Sequence, residues 1–241
     1  MNFRESIKCP PLRELREICQ TPESSLNDSL YGKLFVRKIS IYFTKIFIRI
    51  GLTGNQITWI WFLFDLIAGL FLTLGNYWAS LIAVFLIHLG YILDGTDGEI
   101  SRYRNSCSDR GIFLDHVFHS IAYPLLFFSL SLGVYNITNN IYYMILGFLS
   151  AFSFIQIELI TLERHKILGK KLNSFSNNNI SDDVRTRLLS NFNDFIRLDF
   201  FFIGIIVFSI FDILNFLLIL IGMGLLLKFF IDFYKYTISG D

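Results

Sequence analysis

The sequence predicts an all-α, polytopic membrane protein, with six transmembrane helices preceded by an N-terminal amphipathic helix lying in the membrane interface. Three observations carry this reading. Of 241 residues, 53% are hydrophobic, only 17% are charged and 27 are Phe, and the mean hydropathy is +0.52; so few polar groups do not cover a water-facing surface. The apolar residues come in runs near the length that crosses a hydrocarbon core of about 30 Å. Lys and Arg fall on alternate sides of those runs, as membrane topology requires.

Residues 1–30 are polar, contain Cys9-Pro10-Pro11 and lack the pattern of a cleavable leader, so they read as a cytoplasmic N-terminal segment. Over 31–50, Lys33, Arg37, Lys45 and Arg49 fall four or eight apart beside Leu34, Phe35, Ile39, Phe43, Ile46 and Phe47. That spacing predicts an amphipathic helix with a cationic edge toward lipid headgroups. Residues 51–241 then form one six-helix transmembrane domain. Its expected spans are 57–74, 77–93, 112–132 and 141–162, followed by a region, 196–234, too long for one crossing. Phe211-Asp212-Ile213-Leu214-Asn215 interrupts that region, and two helices are expected there. Short turns at Gly75-Asn76 and 136–140 join neighbours, and 163–198 is a polar insert.

Orientation follows from the cations. The segment to Asn55 holds nine Lys and Arg, the second connection holds Arg102, Arg104 and Arg110, and the insert holds seven. The turns on the other side hold none, which places both termini and both charged loops in the cytoplasm. Splitting the last region also keeps Lys228 and Lys235 on that side. A net charge of +1 gives no electrostatic footprint for nucleic acid. Cys9, Cys19 and Cys107 lack paired spacing, so neither a disulfide framework nor a zinc site is expected.

Carboxylates at membrane depth are costly unless paired or coordinated. Asp94 and Asp97 stand three apart at the end of the second span, and Asp115 and His119 four apart in the third, so each pair shares a helix face. Three carboxylates and an imidazole facing one pocket call for hard divalent cations, Mg²⁺ or Mn²⁺. Gly95, Gly98 and Gly111 permit close backbone approach, and Arg102 suits a phosphate. Together these residues describe a diphosphate site.

The segment from Asp94 to Arg102, eight further residues, and the segment from Gly111 to His119 resemble the signature of CDP-alcohol phosphotransferases, D-x2-D-G-x2-A-R-x8-G-x3-D-x3-D. Ser101 stands where alanine is usual and His119 where the final aspartate is usual. Thr53-Gly54-Asn55-Gln56-Ile57-Thr58 is similar to the family's T-P-N-x-V-T, with Gly54 in place of proline. The resemblance implies transfer of a phosphatidyl or other phospho-alcohol group from a CDP-linked donor, CDP-diacylglycerol favoured, to a small hydroxyl acceptor with release of CMP. It implies two metal ions, bridged by Asp94 and Asp115, with Asp97 completing the first set and His119 at the second. It makes His119 and Asp115 catalytic, and assigns Asn55, Thr58, Gly98, Ser101, Arg102, Ser108 and Gly111 to the CDP groove. Residues 51–241 become a catalytic domain and a homodimer is expected.

Imidazole can accept a proton and ligate a metal, so His119 is a workable substitute for aspartate. The alternative is an altered or inactive membrane protein that binds CDP-lipid or nucleotide. A transporter fits less well, because the acids cluster at one face without a path across the bilayer. Arg164 and Arg197, with Lys228, form a weaker candidate set for an anionic acceptor, against simple positive-inside anchoring. His88 is expected to be a hydrogen-bonding helix residue, and Asp65 and Glu158 to be paired or to face a substrate pocket.

Overall fold

The computed structural model describes residues 10–21, 31–174 and 200–237, and over these it contains helices and turns with no strand. Helix α1 spans Leu12–Cys19. A π-helical turn, Gly32–Val36, runs directly into α2, Arg37–Ile50. There follow α3 Gly54–Thr73, α4 Tyr77–Tyr103, α5 Asp109–Thr138, α6 Ile141–Ser174, α7 Phe200–Ile210 and α8 Leu214–Thr237. Five of these, α3, α4, α5, α6 and α8, are long and apolar enough to cross a membrane. The span expected from Ile196 is described only as α7, whose 11 residues are short of a crossing, and Arg197 lies outside the described residues. Helix α6 continues into the expected insert, so the polar residues after Leu162 extend an existing helix.

Local chemistry sets the boundaries. Gly51 closes α2 at φ +92°, a left-handed value that costs glycine nothing. Thr53 opens α3 with a capping box: its backbone N–H donates to Gln56 Oε1 at 2.9 Å, while the Gln56 N–H points back at the Thr53 hydroxyl. Asn76 Oδ1 accepts the Ala79 N–H at 2.9 Å and starts α4. Asp212, at φ +56°, ends α7 inside the interruption anticipated at 211–215.

The chain forms two compact units. The first comprises Met1–Ala68 and Ile82–His119, the second Gly69–Leu81 and Ser120–Asp241. In the first, Leu15 and Cys19 of α1 and Ile41 of α2 form a fully buried cluster flanked by Leu12, Ile48 and Tyr103. Helix α2 has a mixed inside: Ser40 and Thr44 are buried beside Ile41, while Ile39, Tyr42 and Ile46 are exposed on it and Leu34 and Phe35 on the turn before it. Farther along, Phe62 stacks on Phe118 with centroids 4.1 Å apart, and Trp59 meets Phe118 edge-on at 4.6 Å.

The second unit packs through small residues. A Cβ on Gly133 would collide with the Leu72 carbonyl, so glycine is what lets these backbones touch. Asn136 Nδ2 donates to the Thr73 carbonyl at 2.7 Å beside that contact. Aromatic rings fill the rest, with Phe127 edge-on to Phe201 at 5.1 Å and Tyr123 edge-on to Phe154 at 5.5 Å.

Candidate active site

The acidic cluster and its expected CDP groove lie in the first unit. Asp94 sits on α4, and Asp115 and His119 sit one turn apart on α5; one ligand atom from each lies within 4.8 Å of the others. His119 Nε2 is 3.5 Å from Asp94 Oδ1, and Nδ1 is 3.5 Å from Asp115 Oδ1. Nδ1 also lies 3.1 Å from the Asp115 backbone carbonyl. A carbonyl only accepts, so this contact suits a proton on Nδ1, while Nε2 faces the Asp94 carboxylate.

Asp97 is held differently. The Thr58 hydroxyl and the Trp61 indole N–H both donate to its Oδ2, at 2.7 and 3.1 Å. Its Oδ1 has no hydrogen-bond donor among the described residues. Trp61, 1% exposed, also stacks on His119 with centroids 4.7 Å apart and planes 29° from parallel. One indole therefore fixes a carboxylate and the plane of an imidazole. Asn55, Thr58, Trp61 and Asp65 recur at helical spacing, one stripe of α3 rich in hydrogen-bonding groups. Sequence reasoning singled out all of these except Trp61, and the stripe was the available signal.

A cavity of about 240 Å³ opens on this cluster, lined by Asp94, Asp97, Asp115, Gly98 and Arg102, with Gly32, Val36, Arg37, Tyr91, Gly95 and Glu99. The residues suit a divalent cation. Asp115 Oδ1 is buried without a hydrogen-bond donor, beside a second carboxylate, an arrangement that a bound cation would relieve.

Glu99 falls at an unfixed position of the motif, yet it is 1% exposed and fully engaged. Its Oε1 accepts from Gln20 Nε2 and the Ser40 hydroxyl, both at 2.6 Å, and its Oε2 accepts from the Thr44 hydroxyl. The rule that flags buried carboxylates applied to it equally, but its partners lie 55 to 79 residues away in sequence. This network explains the buried Ser40 and Thr44 of α2. Glu99→Gln would turn one accepting oxygen into an amine facing donors, and is expected to cost about 1–3 kcal/mol of stability, read as a lowered Tm in detergent.

A family model for CDP-alcohol phosphatidyltransferase matches residues 52–228. The chain belongs to this family. No curated protein matches the chain. Membership brings with it a phosphotransferase chemistry on CDP-linked donors and alcohol acceptors, usually with divalent metals, and the acidic cluster lies inside the matched region.

Of the residues expected along the CDP groove, Gly98 and Arg102 line the cavity. Thr58 donates to Asp97, and the Ser101 hydroxyl stands where a Cβ on Gly54 would project. Ser108 caps α5 by accepting the Gly111 N–H at 3.2 Å, and a Cβ on Gly111 would stand 3.1 Å from Asn55 Oδ1. In the second unit, the Arg164 guanidinium lies 4.9 Å above the Tyr236 ring, and Lys228 pairs with Asp232 at 3.0 Å. His88 Nδ1 is 2.7 Å from the Val84 carbonyl of its own helix, and Asp65 Oδ1 is buried without a donor.

Two departures from the family motif turn out to face each other. A Cβ on Gly54 would collide with Ser101 Oγ and lie 2.8 Å from the Asp97 carbonyl oxygen. A serine where the family has alanine is thus accommodated by a glycine where it has proline. Gly54→Ala is expected to cost about 1–3 kcal/mol, part of it recovered in the Gly54→Ala/Ser101→Ala double variant. Additive losses in a thermal-shift cycle would refute the pairing.

Proposed function

We propose that this chain transfers a phosphatidyl or other phospho-alcohol group from a CDP-linked donor, CDP-diacylglycerol foremost, to a hydroxyl acceptor, releasing CMP. The cluster of Asp94, Asp115 and His119, two of whose members line a cavity together with Asp97, Gly98 and Arg102, carries this reading. Asp94 and Asp115 would hold two divalent ions, with Asp97 completing one set through Oδ1 and His119 standing at the other. When bound, Mg²⁺ or Mn²⁺ neutralises the diphosphate and stabilises departing CMP. Arg102 binds diphosphate oxygens through its terminal nitrogens. His119 Nε2 takes the hydroxyl proton as the acceptor oxygen bonds to the donor phosphorus distal to cytidine and the bond from that phosphorus to the CMP oxygen breaks. Thr58 and Trp61 keep Asp97 oriented throughout.

The same reading places both termini and the site on the cytoplasmic side, supported by the Lys and Arg asymmetry. It lays α2 in the interface, supported by its exposed apolar side chains, and takes a sixth span through α7. A homodimer, and an acceptor gripped by Arg164 and Arg197, belong to the same proposal.

CMP release from CDP-diacylglycerol by detergent-purified protein, against a panel of hydroxyl acceptors with and without Mg²⁺ or Mn²⁺, tests it. Metal-dependent CMP from one acceptor, lost in Asp94→Asn and His119→Ala, is the expected result. Nucleotide and metal binding without CMP from any acceptor or any soluble CDP-alcohol would show instead a site that recognises the donor without turning it over.

A further inference from the structure

The family match begins at residue 52, yet the motif helix is fastened by residues well before it. Arg102 Nε donates to the Cys19 backbone carbonyl at 2.6 Å, across 83 residues. Next in the chain, Gln20 Nε2 donates to Glu99 Oε1 at 2.6 Å and to the Arg37 carbonyl at 2.7 Å, using both of its hydrogens. Helix α1 is held in place for this by Leu15 and Cys19, both fully buried.

The consequence falls on one side chain. With Nε engaged, the Arg102 guanidinium is fixed in orientation, and its two terminal nitrogens have no acceptor among the described residues. They stand over Gly98, where a Cβ would be 3.2 Å from Nη1, on the wall of the candidate site. A planar fork with two open donors beside a carboxylate cluster fits a diphosphate oxygen pair.

We propose that α1 and Gln20 are positioning elements for the nucleoside diphosphate, setting Arg102 through the Cys19 carbonyl and bracing Glu99 one turn before it. This rests on the donor reading above, and it adds to the site a segment outside the matched domain. Without α1, Arg102 regains rotamer freedom and must be ordered by the ligand itself, which weakens binding of the diphosphate and leaves the metal ligands untouched.

The test uses the full-length protein in detergent, with CDP as the nucleotide probe and Mn²⁺ alone as the metal probe. Leu15→Asp, which puts a charge into the α1 cluster, is expected to weaken CDP binding about tenfold, and Gln20→Ala about threefold, while Mn²⁺ affinity by paramagnetic resonance stays unchanged. Leu15→Met should restore CDP affinity. Unchanged CDP affinity in Leu15→Asp and Gln20→Ala would overturn the proposal. So would a parallel loss of Mn²⁺ binding in the two variants, because α1 would then be a general brace. Wild-type protein that bound Mn²⁺ and no CDP would overturn the donor reading itself, and this inference with it.

Discussion

Asp115→Asn is expected to reduce metal-dependent CMP release by about 10³-fold and, at the same time, to raise the melting temperature of the metal-free protein. The two changes share one cause. Asp115 Oδ1 is buried without a donor and shares a small space with Asp94, so the metal-free site stores like-charge repulsion that His119, 3.5 Å from each carboxylate, offsets only in part. An amide removes the repulsion and with it the reason to bind a cation. Thermal shifts with EDTA and with Mn²⁺ separate the effects: the wild type should gain several degrees from Mn²⁺ and the variant almost none. A variant that is both inactive and less stable than wild type in EDTA would show that Asp115 serves the fold.

Trp61→Phe is expected to lower kcat by about 10–100-fold with little change in stability, whereas Trp61→Ala should also lose about 3–5 kcal/mol. Phenylalanine keeps a ring on His119 but has no N–H for Asp97, so it isolates the hydrogen bond at 3.1 Å from the stack at 4.7 Å. Alanine removes both and leaves a cavity at a position 1% exposed. Steady-state kinetics with Mn²⁺ titration, beside thermal melts, measures each. Equal kcat in Trp61→Phe and wild type would exclude the indole N–H from any role in orienting Asp97.

Asp94, Asp115 and His119 were legible because their spacing is local: three and four residues along a helix guarantee a shared face. The breaks at Gly75-Asn76 and around Asp212 were legible for a similar reason, since a left-handed residue or a capping side chain acts within one turn. Trp61 was not, because an indole in a run rich in Phe and Leu has the same pattern whether it faces lipid or a carboxylate. Glu99 was hidden by distance along the chain, with partners at Gln20, Ser40 and Thr44 that periodicity does not connect to it. The same limit explains α2. Its basic and apolar spacing predicted a helix over 31–50, but only the contact with Glu99 reveals that Ser40 and Thr44 are buried on it beside Ile41.

Those long separations also set an order of assembly. The N-terminal helices leave the ribosome before α4 exists; Gln20 can already reach the Arg37 carbonyl, but Glu99 and Arg102 are added only when α4 has been made and inserted. Cys19 and Arg102 are 83 residues apart, so the fastening of α1 comes after at least two apolar helices have been synthesised. Helix α1, translated before α4, therefore completes its contacts only once α4 is in place, and a nascent chain halted before residue 99 would carry an α2 whose Ser40 and Thr44 have no Glu99 to bind.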